Sequence, residues 1–330
     1  MPAAAGPLKR EASGRRGASV THIYMRVFKD GENSTRNGLA GPSDAASQLA
    51  ANLAAVKAVV AFGSARGGVG KSAITVNLAA ALAQSGRKIG VIDADLNSPS
   101  IHAMLGIRAP RRPAVTEWIE PSAGPLGIRV VSVELVPDID STPVSFIEFD
   151  DQPPPQSNGR RVVEVGYAKT LRQLFEQTRL GALDLLLVDL PPGIEAVARL
   201  NGIVPQAALM ILTHPSALSA RAARTMGEVA AANATAVIGV IENMAGFSCE
   251  SCHSVRPLMP QGSVAPVAHD LGIPLIERLP FDPHLAESTD RGILFVREYP
   301  DTPLAKQLSA IAQAIDHATR VKTSAQTVTA

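Results

Sequence analysis

Along this chain, apolar residues gather in short runs, and between the runs they recur every three or four positions. The runs are KAVVAFG (57–63), KIGVIDAD (88–95), GIRVVSV (127–133), DLLLVDL (184–190), AALMILT (207–213), AVIGVIEN (236–243) and PLIERLP (274–280). Each is too short for a helix and nearly continuous in hydrophobicity, which describes strands buried on both faces. The segments SAITVNLAAALAQS (72–85), YAKTLRQLFEQT (167–178) and ALSARAARTMGEVAAA (217–232) carry helical spacing. A further amphipathic helix is expected over 43–56. A last one is expected over 303–320, with Leu304, Leu308, Ile311 and Ile315 on one face, the mark of core packing rather than of a membrane-surface helix. Strands alternating with helices predict an α/β fold with a mostly parallel sheet and helices on both faces.

The pattern lapses in four places. Residues 1–43 are rich in Gly, Ser, Arg and Asn and are expected to form a disordered arm, and 321–330 a flexible tail. Residues 137–165 hold a proline triplet and an acidic cluster, which reads as a surface excursion. Residues 244–266 contain both cysteines of the chain. The remaining span, 44–320, reads as one domain.

Composition narrows the function classes. Net charge is +1 with 18% charged residues, which argues against a nucleic-acid surface, so no nucleic-acid partner is expected. No apolar run reaches the ~18 residues of a membrane span, so no membrane partner is expected either. Arg10, Arg15 and Arg16 cluster as in a transit peptide, but Glu11 and the early proline fit that poorly and no continuous apolar stretch marks a secretory signal. The cytoplasm is the expected location.

The chemistry begins at residues 62–73, FGSARGGVGKSA, between an apolar run and a helical segment. That order is what a phosphate-cradling loop requires, with backbone N–H groups and a helix N-terminus turned to an anion. Gly67, Gly68 and Gly70 let the backbone wrap phosphate oxygens, with Val69 and Ala73 completing the cradle. Lys71 brings a compact charge to the outer phosphates and Ser72 a hydroxyl to Mg²⁺. Asp93 and Asp95 end one strand, and an acidic pair there can approach the metal or orient a water. Asp189 ends another, ahead of Leu190-Pro191-Pro192-Gly193, where a carboxylate holds Mg²⁺. A capping or turn role is the competing one for Asp95.

Cys249 and Cys252 form a CxxC in the polar stretch FSCESCHS. Isolated buried thiols and a redox pair are the competing readings, although the redox pair lacks its usual βαβ context. A metal or cluster site fits better, but two thiolates do not complete four-ligand zinc or cluster coordination. Two chains giving one CxxC each would complete it.

The cation before GGVGKS, the DAD at 93–95, the DLPPG at 189–193 and the ENM followed by CxxC resemble Mrp/ApbC-type P-loop ATPases, the iron–sulfur cluster carriers of the MinD/ParA superfamily. The resemblance covers most of residues 57–320. It implies a single P-loop NTPase domain using ATP and Mg²⁺, and a homodimer bridged by a [4Fe–4S] cluster on Cys249 and Cys252, serving client apoproteins. It implies catalytic roles for Arg66, which would reach the partner's phosphates, for Lys71, and for Asp95 on the attacking water. Asp93 would lie near the metal, and Asn243 would recognise adenine. The chain departs from the family in three places. Arg66 stands where Lys is usual, Ile194, Glu195 and Ala196 replace Thr-Gly-Asp, and 137–165 lacks a Trp-Arg-Gly-Pro stretch. Slow hydrolysis is the expectation. A MinD/ParA-like regulatory ATPase switch without a cluster is the alternative.

Overall fold

All seven apolar runs form strands in this computed structural model, which describes residues 42–108, 118–136, 160–248, 255–260 and 262–328. They are β1 (Val59–Gly63), β2 (Ile89–Asp93), β4 (Arg129–Val131), β5 (Leu185–Asp189), β6 (Ala208–Thr213), β7 (Val237–Glu242) and β10 (Leu275–Arg278). With the two-residue β3 (Ser122–Ala123) they make an eight-stranded sheet in the order β10-β7-β6-β1-β5-β2-β4-β3. Every pairing is parallel except β3 on β4. All these strands lie within one unit, residues 40–330.

The near-continuous hydrophobicity has its cause in two cores, one on each face of the sheet. Successive side chains point to opposite faces, so Val59 and Ala61 enter one core while Val60 and Phe62 enter the other. The first core is closed by α1 (Pro42–Ala54), α4 (Arg160–Gln177), α5 (Glu195–Asn201), α6 (Ala217–Ala232) and α7 (Val264–Asp270). The second lies under α2 (Lys71–Gln84), α3 (Ile101–Met104), α8 (Pro283–Asp290), α9 (Phe295–Glu298) and α10 (Pro303–Val328). Leu304, Leu308, Ile311 and Ile315 of α10 are buried, and the helix packs on α2, as its spacing predicts.

Two boundaries differ from the sequence reading. Helix α4 starts at Arg160, inside the stretch read as an excursion, and 137–159 lie outside the described residues. Helix α10 runs to Val328 rather than ending near 320, because no glycine or proline interrupts residues 304–328. Residues 1–41 also lie outside the described set. The strand order brings the C-terminal ends of β2, β5, β1, β6 and β7 to one edge of the sheet, where open parallel sheets place their ligands.

Candidate nucleotide site

The loop between β1 and α2 is shaped by glycine. Gly68 and Gly70 have φ of 77° and 79°, in the left-handed region that costs an L side chain energy. At Gly70 space is short as well, since an added Cβ would lie 2.6 Å from Asn243 Nδ2. Helix α2 starts at the next residue, so its first amides face the concavity made by the loop. Asn243, just beyond β7 and buried, donates from Nδ2 to the Val69 carbonyl at 2.9 Å. The residue expected at a base therefore also fixes the loop backbone, using one of its amide protons.

Asp189, at the end of β5 and fully buried, gathers the first turn of α2 around it. Lys71 Nζ lies 2.7 Å from its Oδ2, Ser72 Oγ donates to the same oxygen at 2.7 Å, and Thr75 Oγ1 lies 3.0 Å from Oδ1. A hydroxyl and a carboxylate converging on one point are hard oxygen donors, which fit Mg²⁺ and suit it far better than a soft metal. No group of three or more His, Cys, Asp or Glu able to hold a metal occurs among the described residues. Such a site would draw its other ligands from phosphate oxygens and water, as Mg²⁺ commonly does. Thr75 was missed in the sequence, although its position four residues after Lys71 puts it on the same helix face.

Asp93 pairs in register with Asp189 on the neighbouring strand. Its carboxylate accepts from the backbone N–H of Ser100 at 2.8 Å and Ile101 at 3.0 Å, so it caps the start of α3. Capping thus falls to Asp93, while the Asp95 carboxylate meets the amides of Ser98 and Asn97, as a turn role requires. Burial, then the adjacent Asp189 charge, push the Asp93 carboxyl up to about 7, against the two amides and Lys71. Asp95 is half-buried. Burial raises its carboxyl too, opposed by Lys71 and by the amides of Ser98 and Asn97.

Gly193, with φ of 125°, donates its N–H to the Ser64 carbonyl at 2.9 Å, and so joins the Pro-Pro-Gly turn to the start of the phosphate loop. Arg66 is exposed beside the end of β6, where burial and then the Arg66 charge depress the His214 imidazole.

Beyond Asn243 the chain is stitched to the exit of β10. The Ala245 N–H donates to the Leu279 carbonyl at 2.8 Å, and the Phe281 N–H to the Gly246 carbonyl at 2.6 Å. Strand β8 (Phe247–Ser248) then pairs antiparallel with β9 (Val255–Arg256). Cys249, Cys252 and His253 lie outside the described residues, in the connection that this ladder closes. Buried Glu242, at the end of β7, forms an ion pair with Arg278 of β10 at 2.8 Å, which no sequence signal announced.

Residues 55–147 and 160–316 match the model of the ParA family described as NUBPL iron-transfer P-loop NTPases. The chain is 33% identical over 262 residues to the "Iron-sulfur cluster carrier protein" of Saccharolobus solfataricus, covering 79% of this chain and 83% of that one. It is 36% identical over 270 residues to the "Cytosolic Fe-S cluster assembly factor NUBP2" of Bos taurus, covering 80% and 94%. Among solved structures, the nucleotide-binding protein of Archaeoglobus fulgidus in complex with ADP aligns at 28% identity with a TM-score of 0.59, over 79% of this chain and 95% of that one. The Pyrococcus furiosus cell division ATPase MinD shares the fold, with a TM-score of 0.53 at 19% identity over 79% and 99%.

Proposed function

The chain belongs to the ParA family of NUBPL iron-transfer P-loop NTPases, and on that footing we propose that it is an ATP-binding carrier of iron–sulfur clusters that hydrolyses ATP slowly. The observation that carries this reading is continuity. The segment that ties Asn243 to the phosphate loop leads directly into the β8–β9 ladder, which closes the connection holding both cysteines of the chain. The cargo is a [4Fe–4S] cluster bridging a homodimer, with Cys249 and Cys252 given by each copy and handed on to client apoproteins.

In this reading the amides of residues 67–73 hold the phosphates, and Lys71 turns from Asp189 to the outer ones. Ser72 and Asp189 would hold Mg²⁺, with Asp93 in its neighbourhood, and the ion would supply charge to offset the phosphates. Asp95 orients the attacking water, Arg66 reaches the partner's phosphates, and Asn243 reads the base. The cytoplasm is the proposed location. A regulatory ATPase switch without a cluster is the second reading. It is favoured by Ile194, Glu195 and Ala196, where the Glu195 carboxylate folds back to within 2.9 Å of where a Gly193 Cβ would stand.

The test is anaerobic reconstitution with iron and sulfide, followed by a visible spectrum and metal analysis. About four irons per dimer are expected, the content of one four-thiolate cluster. The double variant C249S/C252S should lose them and keep ATP binding. Zinc in their place would leave the ligands right and the cargo wrong, and a dimer that takes no metal would favour the switch.

A further inference from the structure

Tyr167 on α4 lies where the two carboxylate-bearing loops meet. It is buried, and its hydroxyl donates to the Ala94 carbonyl at 2.9 Å, between Asp93 and Asp95. The Ala94 N–H in turn donates to the Asp189 carbonyl at 2.9 Å, so this fully buried residue is clamped on both sides. The Tyr167 ring lies under the guanidinium of Arg199, 5.2 Å from its centroid, on the helix that follows Asp189 through Gly193. Tyr167 therefore touches the loop after β2 and the helix after β5 together.

We propose that Tyr167 is a positioning residue for ATP hydrolysis, fixing the Asp93–Asp95 loop relative to the Asp189–Gly193 segment. The carbonyl it holds belongs to the peptide unit that leads into Asp95, and a planar peptide passes that constraint directly to the Asp95 backbone. Without the hydroxyl, the Ala94 carbonyl is left buried and unpaired, and the loop must shift to find water or another donor. The donor is constant across working pH. Burial raises the phenol far above its ordinary range, and the charges of Asp95, Asp93 and Asp189 add to this against Arg199. Nothing in the sequence marked this residue, because an aromatic at helical spacing reads as core.

The inference rests on the reading of Asp95 as the water-orienting carboxylate, so Asp95→Ala is measured beside Tyr167→Phe in the full chain. Tyr167→Phe keeps the ring and its packing and should fold. Its kcat should fall between about tenfold and 100-fold, the scale of a slightly misplaced reacting group, with ATP affinity within about twofold of wild type. Arg199→Gln should also lower kcat, and the double variant should fall short of the product of the two effects, because both act through one ring. Wild-type turnover by Tyr167→Phe beside an inactive Asp95→Ala would overturn this inference and leave the carrier reading standing. An equal loss of kcat and affinity together with a lowered Tm would reduce Tyr167 to core packing. Normal hydrolysis by Asp95→Ala would overturn the underlying reading and this inference with it.

Discussion

Lys71 is held by Asp189, and the cost of losing it is legible in that contact. Its ammonium neutralises Asp189, with side-chain exposures of 6% and 0%. Removing one partner of so buried a pair leaves an uncompensated charge, at a cost of about 3–5 kcal/mol. Lys71→Ala should therefore destabilise the nucleotide-free protein by an amount of that order, reduced by the hydroxyls of Ser72 and Thr75, as chemical denaturation would measure. The same variant should bind ATP at least about tenfold more weakly, or ~1.4 kcal/mol, by calorimetry. Unchanged affinity would remove the phosphate-loop assignment. Asp93 adds a pH dependence. Its carboxyl, raised to about 7 from 3.8, binds a proton more tightly in the folded chain than in the unfolded one. Its contribution is fully present below pH ~4 and lost as pH rises towards 7, where the folded state binds more protons than the unfolded one. Melting curves of the Mg²⁺-free protein should show a smaller fall over that window in Asp93→Asn than in wild type. Residue types and spacing pointed to Lys71, Ser72 and Asp189, and the structure brings these three side chains together. The partners of Asp93 and Tyr167 stayed hidden, because periodicity records burial and not which polar atoms meet.

At the scale of elements, glycine positions separate backbone strain from crowding. Gly68 and Gly70 share a left-handed φ, yet nothing lies within 4 Å of a Cβ on Gly68, while one on Gly70 meets Asn243. Gly68→Ala should cost only the left-handed penalty, about 1–2 kcal/mol. Gly70→Ala should cost more, because the Asn243 amide must also leave Val69, and it should weaken ATP binding further. Melting temperatures and titration of the two variants decide this, and equal effects would show that the Asn243 contact is dispensable. The central parallel strands β1, β2, β5 and β6 were readable because burial on both faces leaves an unbroken apolar run. The pairs β3, β8 and β9 were not, since two residues have no period. Helix α4 starts at Arg160, seven residues before the Tyr167 that the spacing predicts, because RRVVEVG lacks a polar-to-apolar rhythm.

For the whole molecule, stoichiometry decides. Two cysteines in a chain of 34.4 kDa supply half of a four-thiolate site, so the loaded form should sediment at twice the mass of one chain. A cluster on a single chain would defeat the two-fold arrangement. The fold class was legible from the alternation of runs and helices, but the meeting of residues 66 to 243 at one edge follows from strand order, which no local pattern encodes. That order also bears on synthesis. Strand β1 sits between β5 and β6, and β7 follows β6, so the loop made early in translation lacks its carboxylate until residue 189 and its Asn243 contact until β7 has emerged. Parallel neighbours far apart in sequence pair slowly, since the closing entropy comes before the contacts. A nascent chain on the ribosome should therefore be unable to retain nucleotide until β7 has left the exit tunnel, and ATP would stabilise only chains in which β1, β5, β6 and β7 have already paired.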